Sequence, residues 1–438
     1  IRSAGVFSQA LSRRFGKACP PFRKPSMSDL LQPSADKFAA FRHRSFLLFW
    51  LSRFLATFAV QIMSVSVAWQ VYDLTRDPFD LGLVGILQFA PALLLVLVTG
   101  AASDRYGRRM IMAICEFIEA LCAGALLYLT LIGSASVMPI FVVLVVIGIA
   151  RAFLGPAAAS LVANLVPEQD FANAVSWNSS AWQVASIVGP VAGGLLYGVS
   201  AMAAFGVAFA FLMVGAFAIM AIPKPRQHST MHGNALENIL GGFRYIFREK
   251  IVLGAISLDL FAVLLGGAVA HLPVYARDIL VLGPWGLGLL RAAPGIGAIC
   301  VALWLAGHPI RDHAGYILFA SVAGFGICTI VFGVSTIPWL SIVALALLGS
   351  VDGFSVYIRE VLIQLWTPDA LRGRVNAVNM VFVGASNELG EFRAGMMAAG
   401  IGTVPAVVFG GLGTLAVAGI WAALFPQLRR ARSLAGGV

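Results

Sequence analysis

Twelve apolar stretches run through this 438-residue chain, each close to the ~20 residues that an α-helix needs to cross a bilayer. They fall at about 46–72, 81–102, 110–132, 138–162, 174–199, 203–222, 251–276, 285–306, 315–334, 338–364, 375–400 and 404–425. Backbone groups in hydrocarbon must be satisfied within the protein, which leaves only helices and closed barrels as spanning structures. The stretches are too long for barrel strands and lack alternation with period two. The pattern therefore predicts an all-α membrane protein with twelve transmembrane helices. Composition agrees, because 11% of residues are charged where soluble domains carry roughly 25%.

The net charge of +10 does not call for nucleic acid as a partner. Five arginines lie inside spans (Arg53, Arg151, Arg291, Arg359, Arg393), and Arg76 and Arg277 fall on one side of the array. Every other Lys and Arg falls on the opposite side, which also carries both termini. The positive-inside rule makes that side cytoplasmic. The expected partners are membrane lipids and a small molecule, with the chain acting as a monomer. The five cysteines show no paired spacing, so neither a disulfide framework nor a metal site is expected. Residues 1–26 are basic and lack the apolar core of a signal peptide, with Met27 a candidate start. No cofactor is expected beyond a proton as coupling ion. There is no G-x-x-x-x-G-K-[ST] loop for ATP and no nucleophile–base set, so the chain is not read as an enzyme.

The longest polar interruption divides the chain into a basic tail (1–40), a six-helix bundle (41–222), a linker (223–250), a second six-helix bundle (251–425) and a short tail (426–438). Within the linker, Leu236, Ile239, Leu240, Phe243 and Phe247 recur at helical spacing. That pattern predicts an amphipathic helix lying on the membrane surface. The two bundles also match at a fixed offset. Phe41-Arg42 enters span 1 and Phe247-Arg248 enters span 7, 206 residues later. Pro78 and Gly82 enter span 2, and Pro284 and Gly288 enter span 8 at the same offset of 206. Two such pairs indicate pseudo-symmetric halves.

A charge at mid-bilayer costs roughly 2.5–3.5 kcal/mol on insertion scales and should face a partner or a cavity. Arg53 and Asp259 are 206 residues apart, with opposite charge at similar depth. Asp259 is the first candidate proton carrier, responding to an arginine that approaches or withdraws; the alternative is a static Arg–Asp pair. In span 10, Asp352 and Arg359 share a face, with Glu360 beside the arginine. In span 11, Glu388 and Glu391 are three apart and share a face. Span 3 carries Glu116 and Glu119. Glu116 and Glu360 are expected in static pairs between helices, and Arg291 is expected to snorkel to the headgroups. Trp177, Asn178, Trp182 and Gln183 give span 5 a polar–aromatic face suited to a ring-bearing ligand, or to aromatic packing.

One loop carries more information than the rest. Between spans 2 and 3 the chain reads Gly100-Ala-Ala-Ser-Asp104-Arg105-Tyr-Gly107-Arg108-Arg109, and this G-x-x-x-D-R-x-G-R-R string resembles the corresponding loop of the major facilitator superfamily. Arg151-Ala-Phe-Leu-Gly155 matches an R-x-x-x-G pattern linked in that family to proton coupling. Gly189-Pro190-Val-Ala-Gly193-Gly194 matches the G-P-x-x-G-G core of its antiporter motif. Val175-Ser-Trp177-Asn178, Leu290-Arg291-Ala-Ala-Pro294 and Thr367-Pro-Asp-Ala-Leu-Arg372-Gly-Arg374 resemble the bacterial branch that includes the enterobactin exporter.

The resemblance implies two parallel six-helix bundles, and a central cavity lined by helices 1, 4, 7 and 10. Those helices carry Arg53, Arg151, Asp259 and Asp352, with Glu388 and Glu391 as further coupling candidates. It also implies that Asp104 with Arg108 and Arg109 latches the cytoplasmic end of the first half to span 11, stabilising the outward-facing state. The activity implied is proton-coupled export of a siderophore-like or drug-like molecule across the bacterial inner membrane. An uptake permease, or a sensor or lipid-flipping protein on the same fold, remains an alternative at this stage.

Overall fold

The computed structural model describes residues 36–223, 235–310 and 312–430, and the regular elements among them are all helices. The first bundle contains α1 (Arg44–Thr75), α2 (Pro78–Arg105), α3 (Arg108–Leu131), α4 (Met138–Val162), α5 (Glu168–Val199) and α6 (Ala201–Met220). A linker helix, Ala235–Arg248, follows. The second bundle contains α7 (Lys250–Gly266), α8 (Gly283–Gly307), α9 (Ala314–Val334), α10 (Pro338–Trp366), α11 (Asp369–Ile401) and α12 (Thr403–Leu424). Short helical turns carry α7 on to Ile279.

Eleven of these helices are long and apolar enough to cross a membrane. The exception is α11, whose 33 residues include Arg372, Arg374, Glu388, Glu391 and Arg393. It packs against α2, α7 and α12, so protein surrounds much of the helix whose sequence suits lipid least.

Within the first half, α1 packs on α5 and α6, while α4 bridges α2 and α3. The second half repeats the plan: α7 packs on α11 and α12, and α10 bridges α8 and α9. Two seams join the halves, α2 with α11 and α5 with α8. The repeated Pro–Gly pairs of the sequence lie in these seams. A Cβ placed on Gly395 would come within 2.7 Å of the Pro78 carbonyl oxygen. One placed on Gly194 would come within 2.5 Å of the Pro284 carbonyl oxygen. Gly82 and Gly288 complete the same backbone-to-backbone crossings, which only small residues permit.

The end remote from the linker is closed between the halves. Val65 and Trp69 of α1 are buried in one apolar cluster with Leu272, Tyr275, Leu287 and Leu290. Above it, the Tyr72 hydroxyl donates to Asp278, Arg76 pairs with Asp278 at 3.2 Å, and Arg277 pairs with Asp73. Tyr72 and Asp278 are themselves 206 residues apart, so each meets its own pseudo-symmetric position. Arg277 also lies over the Trp69 ring, 5.4 Å from its centroid. The two basic residues that the sequence isolates from all others thus both serve this closure.

The linker helix is docked on the second half, which differs from a helix lying freely on the membrane surface. Ile246 is buried with Val252, Ile363, Val375 and Val378. Phe243 packs edge-on against Phe382 at 5.5 Å, and the Tyr245 hydroxyl donates to the Trp366 carbonyl. Of the expected stripe, Phe243 meets this interface, where apolar contact removes it from water. Phe247 stays exposed, and the side chains of Leu236, Ile239 and Leu240 lie outside the described residues. The α7 helix ends at Gly266–Gly267, and the Arg393 guanidinium donates to the freed carbonyls of Leu264 and Leu265.

A cavity between the halves as candidate functional site

A cavity of about 420 Å³ lies between the seams, lined by Gln61, Ser64, Gln88, Arg151, Arg291, Glu388 and Glu391 among others. Its volume falls in the range of small-molecule sites. Glycine makes part of the room: a Cβ on Gly85 would lie 2.6 Å from a Glu388 carboxylate oxygen. A second cavity, of about 360 Å³, is lined by Arg53 and Thr57 of α1 with Asn178, Trp182 and Gln183 of α5.

Arg151 is held from two sides. Its Nε donates to Glu119 Oε1 at 3.3 Å and its NH1 to Gln88 Oε1 at 2.7 Å. Glu119 is buried, and its other oxygen has no hydrogen-bond partner. The neighbouring Glu116 receives the Ser52 hydroxyl at 2.7 Å. On the other side of the cavity, the Arg291 guanidinium reaches from α8 to the Ser64 hydroxyl of α1. Arginine from each half and the Glu388–Glu391 pair from the second half therefore face one space. Such an arrangement can bind a polar organic molecule through both bundles, and its carboxylates can hold or release a proton as the charges around them move.

The matching family is described as transmembrane secretion effector, and its model covers residues 35–435. The chain belongs to this family, in the enterobactin-exporter-like branch of the major facilitator superfamily. It is 24% identical to the enterobactin exporter EntS of Escherichia coli O1:K1 / APEC, over 89% of this chain and 94% of that one. Among solved structures, it is similar to a bacterial homologue of the human lysosomal transporter Spinster in an inward-facing, unoccupied conformation. That match has 16% identity, a TM-score of 0.65, and coverage of 89% of this chain and 97% of that one. A POT family transporter bound to a thioalcohol-conjugated peptide gives a TM-score of 0.69 at 11% identity, covering 88% and 96%. These likenesses establish the fold. The chain is a multi-pass membrane transporter and not an enzyme.

The transporter distributes its expected site residues unevenly. Arg151, Glu388 and Glu391 share the central cavity, whereas Arg53 lines the second one. Asp259 and Asp352 do not reach either. They line a separate small space inside the second half. Asp259 pairs with Arg359 rather than Arg53, because a buried charge is stable only beside its counter-charge, and Arg359 is on the adjoining helix. Asn178, Trp182 and Gln183 line the second cavity, but Trp177 does not. Its ring stacks on Phe38 at 5.3 Å and its Nε1 donates to the Lys37 carbonyl, so it closes an aromatic cluster.

Arg291 lines the cavity and donates to Ser64 there, where the sequence suggested snorkelling to the headgroups. Gln61, Ser64 and Gln88 are lining residues that sequence reasoning missed, whereas Arg291 was found but given another role. Spans 2 and 8 were not expected to line the path, although a polar residue in an apolar span was the available signal.

The antiporter motif serves both packing partners of α5. Gly189 and Gly193 let it approach Gln61 and Ile62 of α1, while Pro190 and Gly194 face Gly288 of α8. In the R-x-x-x-G pattern, no described residue stands within 4 Å of where a Cβ on Gly155 would be.

In the first loop, Arg108 donates to the Ser160 carbonyl at 3.1 Å and Arg109 to the Ile222 carbonyl. Both arginines therefore cap carbonyls of their own half in this state, which is closed at the end remote from the linker. Arginine at exposed helix C-terminal carbonyls is stabilised by the helix dipole. The backbone of Gly100, Asp104 and Arg105 is helical, but their surroundings lie outside the described residues, while Gly107 precedes α3 as its N-cap. Arg374 is occupied by the linker helix, whose Gly241 and Gly242 pass close to it.

Proposed function

We propose that this transporter exports a small organic molecule, siderophore-like or drug-like, by alternating access in exchange for protons. The membrane is the bacterial inner membrane, with the linker end and both termini in the cytoplasm. The observation that carries this reading is the central cavity, where Arg151 of the first half faces Arg291, Glu388 and Glu391 of the second. Binding across the seam makes substrate occupancy sensitive to the relative position of the two halves. Closure at the end remote from the linker corresponds to a state that receives its substrate from the cytoplasm. Glu388 and Glu391, on one face and near Arg291, carry the proton, and a substrate that donates to them or is cationic competes with it. The similarity to a protein named as an enterobactin exporter supports the siderophore-like class.

The test uses everted inner-membrane vesicles that hold a proton gradient, with and without the transporter. A panel of catecholate siderophores and lipophilic cations is added, and loss of the gradient is followed. Protein-dependent loss with one class, abolished by Glu388→Gln with Glu391→Gln, is the expected result. An unchanged gradient with every compound, in vesicles shown to contain the folded transporter, argues against proton-coupled export.

A further inference from the structure

A further small space, away from both cavities, lies between α7, α9 and α10. It is lined by Asp259, Ser321, Asp352 and Ser355, with Ala262, Val263, Val322 and Phe325 completing the wall. Its volume is about 10 Å³, close to the minimum for one water-sized occupant. Ser321 and Ser355 are 6% and 5% exposed. Neither hydroxyl has a hydrogen-bond partner among the described residues, although each lines this space. Other buried helix hydroxyls behave differently: Ser66 and Thr329 donate to the carbonyl four residues back. The Asp352 carboxylate likewise has no ion-pair or hydrogen-bond partner among the described residues. Several polar groups without partners thus border one small space that admits a water-sized occupant, and polar groups drawn away from bulk water favour an occupant that bonds to them.

Charge selects the occupant. Arg359 balances Asp259, which leaves the Asp352 carboxylate uncompensated and the site at a net charge of −1 when both acids are ionised. One monovalent cation neutralises it, whereas a divalent cation would leave an excess positive charge. The available ligands are all oxygens, the preference of hard cations. We propose that this space is a binding site for a monovalent cation of sodium size, held by the carboxylates of Asp352 and Asp259 and the hydroxyls of Ser321 and Ser355. The site belongs to the second half alone. It gives the transporter an ion-binding element separate from the Glu388–Glu391 pair.

The experiment needs no substrate, so its outcome is independent of the export reading. Purified full-length transporter in detergent is titrated with NaCl, with total salt held constant by choline chloride, and thermal unfolding is followed. A ligand that binds only the folded state raises the unfolding midpoint in a saturable way. The expected result is such a rise with Na⁺ and a weaker one with the larger K⁺. Asp352→Asn, which keeps the shape, should raise the apparent Kd for Na⁺ about tenfold or more, and Ser355→Ala should weaken it less. If Asp352→Asn does not yield folded protein, Ser355→Ala together with Ser321→Ala provides the comparison. Equal midpoints in Na⁺ and choline at neutral and alkaline pH would overturn the proposal in favour of water or a protonated Asp352. An undiminished Na⁺ response in these variants would also overturn it, by moving the ion elsewhere.

Discussion

The two halves share a backbone plan but use charge differently. At the pseudo-symmetric pair Arg53 and Asp259, the first half exposes its arginine to a cavity, while the second half buries its aspartate against Arg359. The first half keeps Glu119 on Arg151 and Glu116 on Ser52 inside, and turns Arg151 towards the space between the halves. The second half turns Glu388 and Glu391 to that space beside its own Arg291, and keeps an Asp–Arg pair inside. The comparison teaches that the repeat fixes where helices cross, whereas the sign and the partner of each buried charge are chosen independently in each half.

The largest test of this comparison is at the internal pair of the second half. Arg359→Gln leaves Asp259 ionised and buried without a counter-charge, which should cost about 3–5 kcal/mol and lower the thermal unfolding midpoint sharply. The double variant with Asp259→Asn should recover much of the loss, because it removes the stranded charge. If Arg359→Gln unfolds at the wild-type temperature, the pair is not an internal brace.

A smaller effect is expected at the seams that the repeat created. Gly194→Val places side-chain atoms against the Pro284 carbonyl and should cost about 1–3 kcal/mol by overpacking. It should also raise the labelling of cysteines introduced at the end remote from the linker. Gly155→Ala serves as the contrast, since nothing stands within 4 Å of its Cβ position, and should leave both readouts unchanged. Equal behaviour of the two variants would break the link between the glycine repeat and closure.

The smallest change is expected at the distal ion pairs, whose side chains are about half exposed. Asp278→Asn removes the partner of Arg76 and weakens the acceptor for Tyr72. Exposed pairs contribute about 1 kcal/mol or less, so stability should hardly move while distal cysteine accessibility rises. No rise in accessibility would assign the closure to the apolar cluster around Trp69 and Leu287 alone.

Asp259 shows how a sequence argument can find a residue without identifying which arginine it meets. Its charge, depth and offset from Arg53 were all legible, yet the pairing with Arg359 depends on how α7 faces α10. Trp177 is a similar case. By residue type it groups with Trp182, but the two are five residues apart and lie well round the helix from each other. The chain segment before α1 folds back to cover Trp177 through Phe38 and Lys37. Arg291 was legible as a charge in a span, and its reach to Ser64 followed from the α5–α8 seam.

By itself the sequence determined the helical class, the number of helices, the division into halves and the glycines of the two seams. Those properties follow from local periodicity, segment length and steric size, which each residue carries wherever it is placed. The tertiary structure decided which charges face the central cavity, which neutralise one another inside a half, and that the linker helix docks on α10 and α11. Each of these depends on the rotation of one helix against another, and a single sequence does not contain that angle.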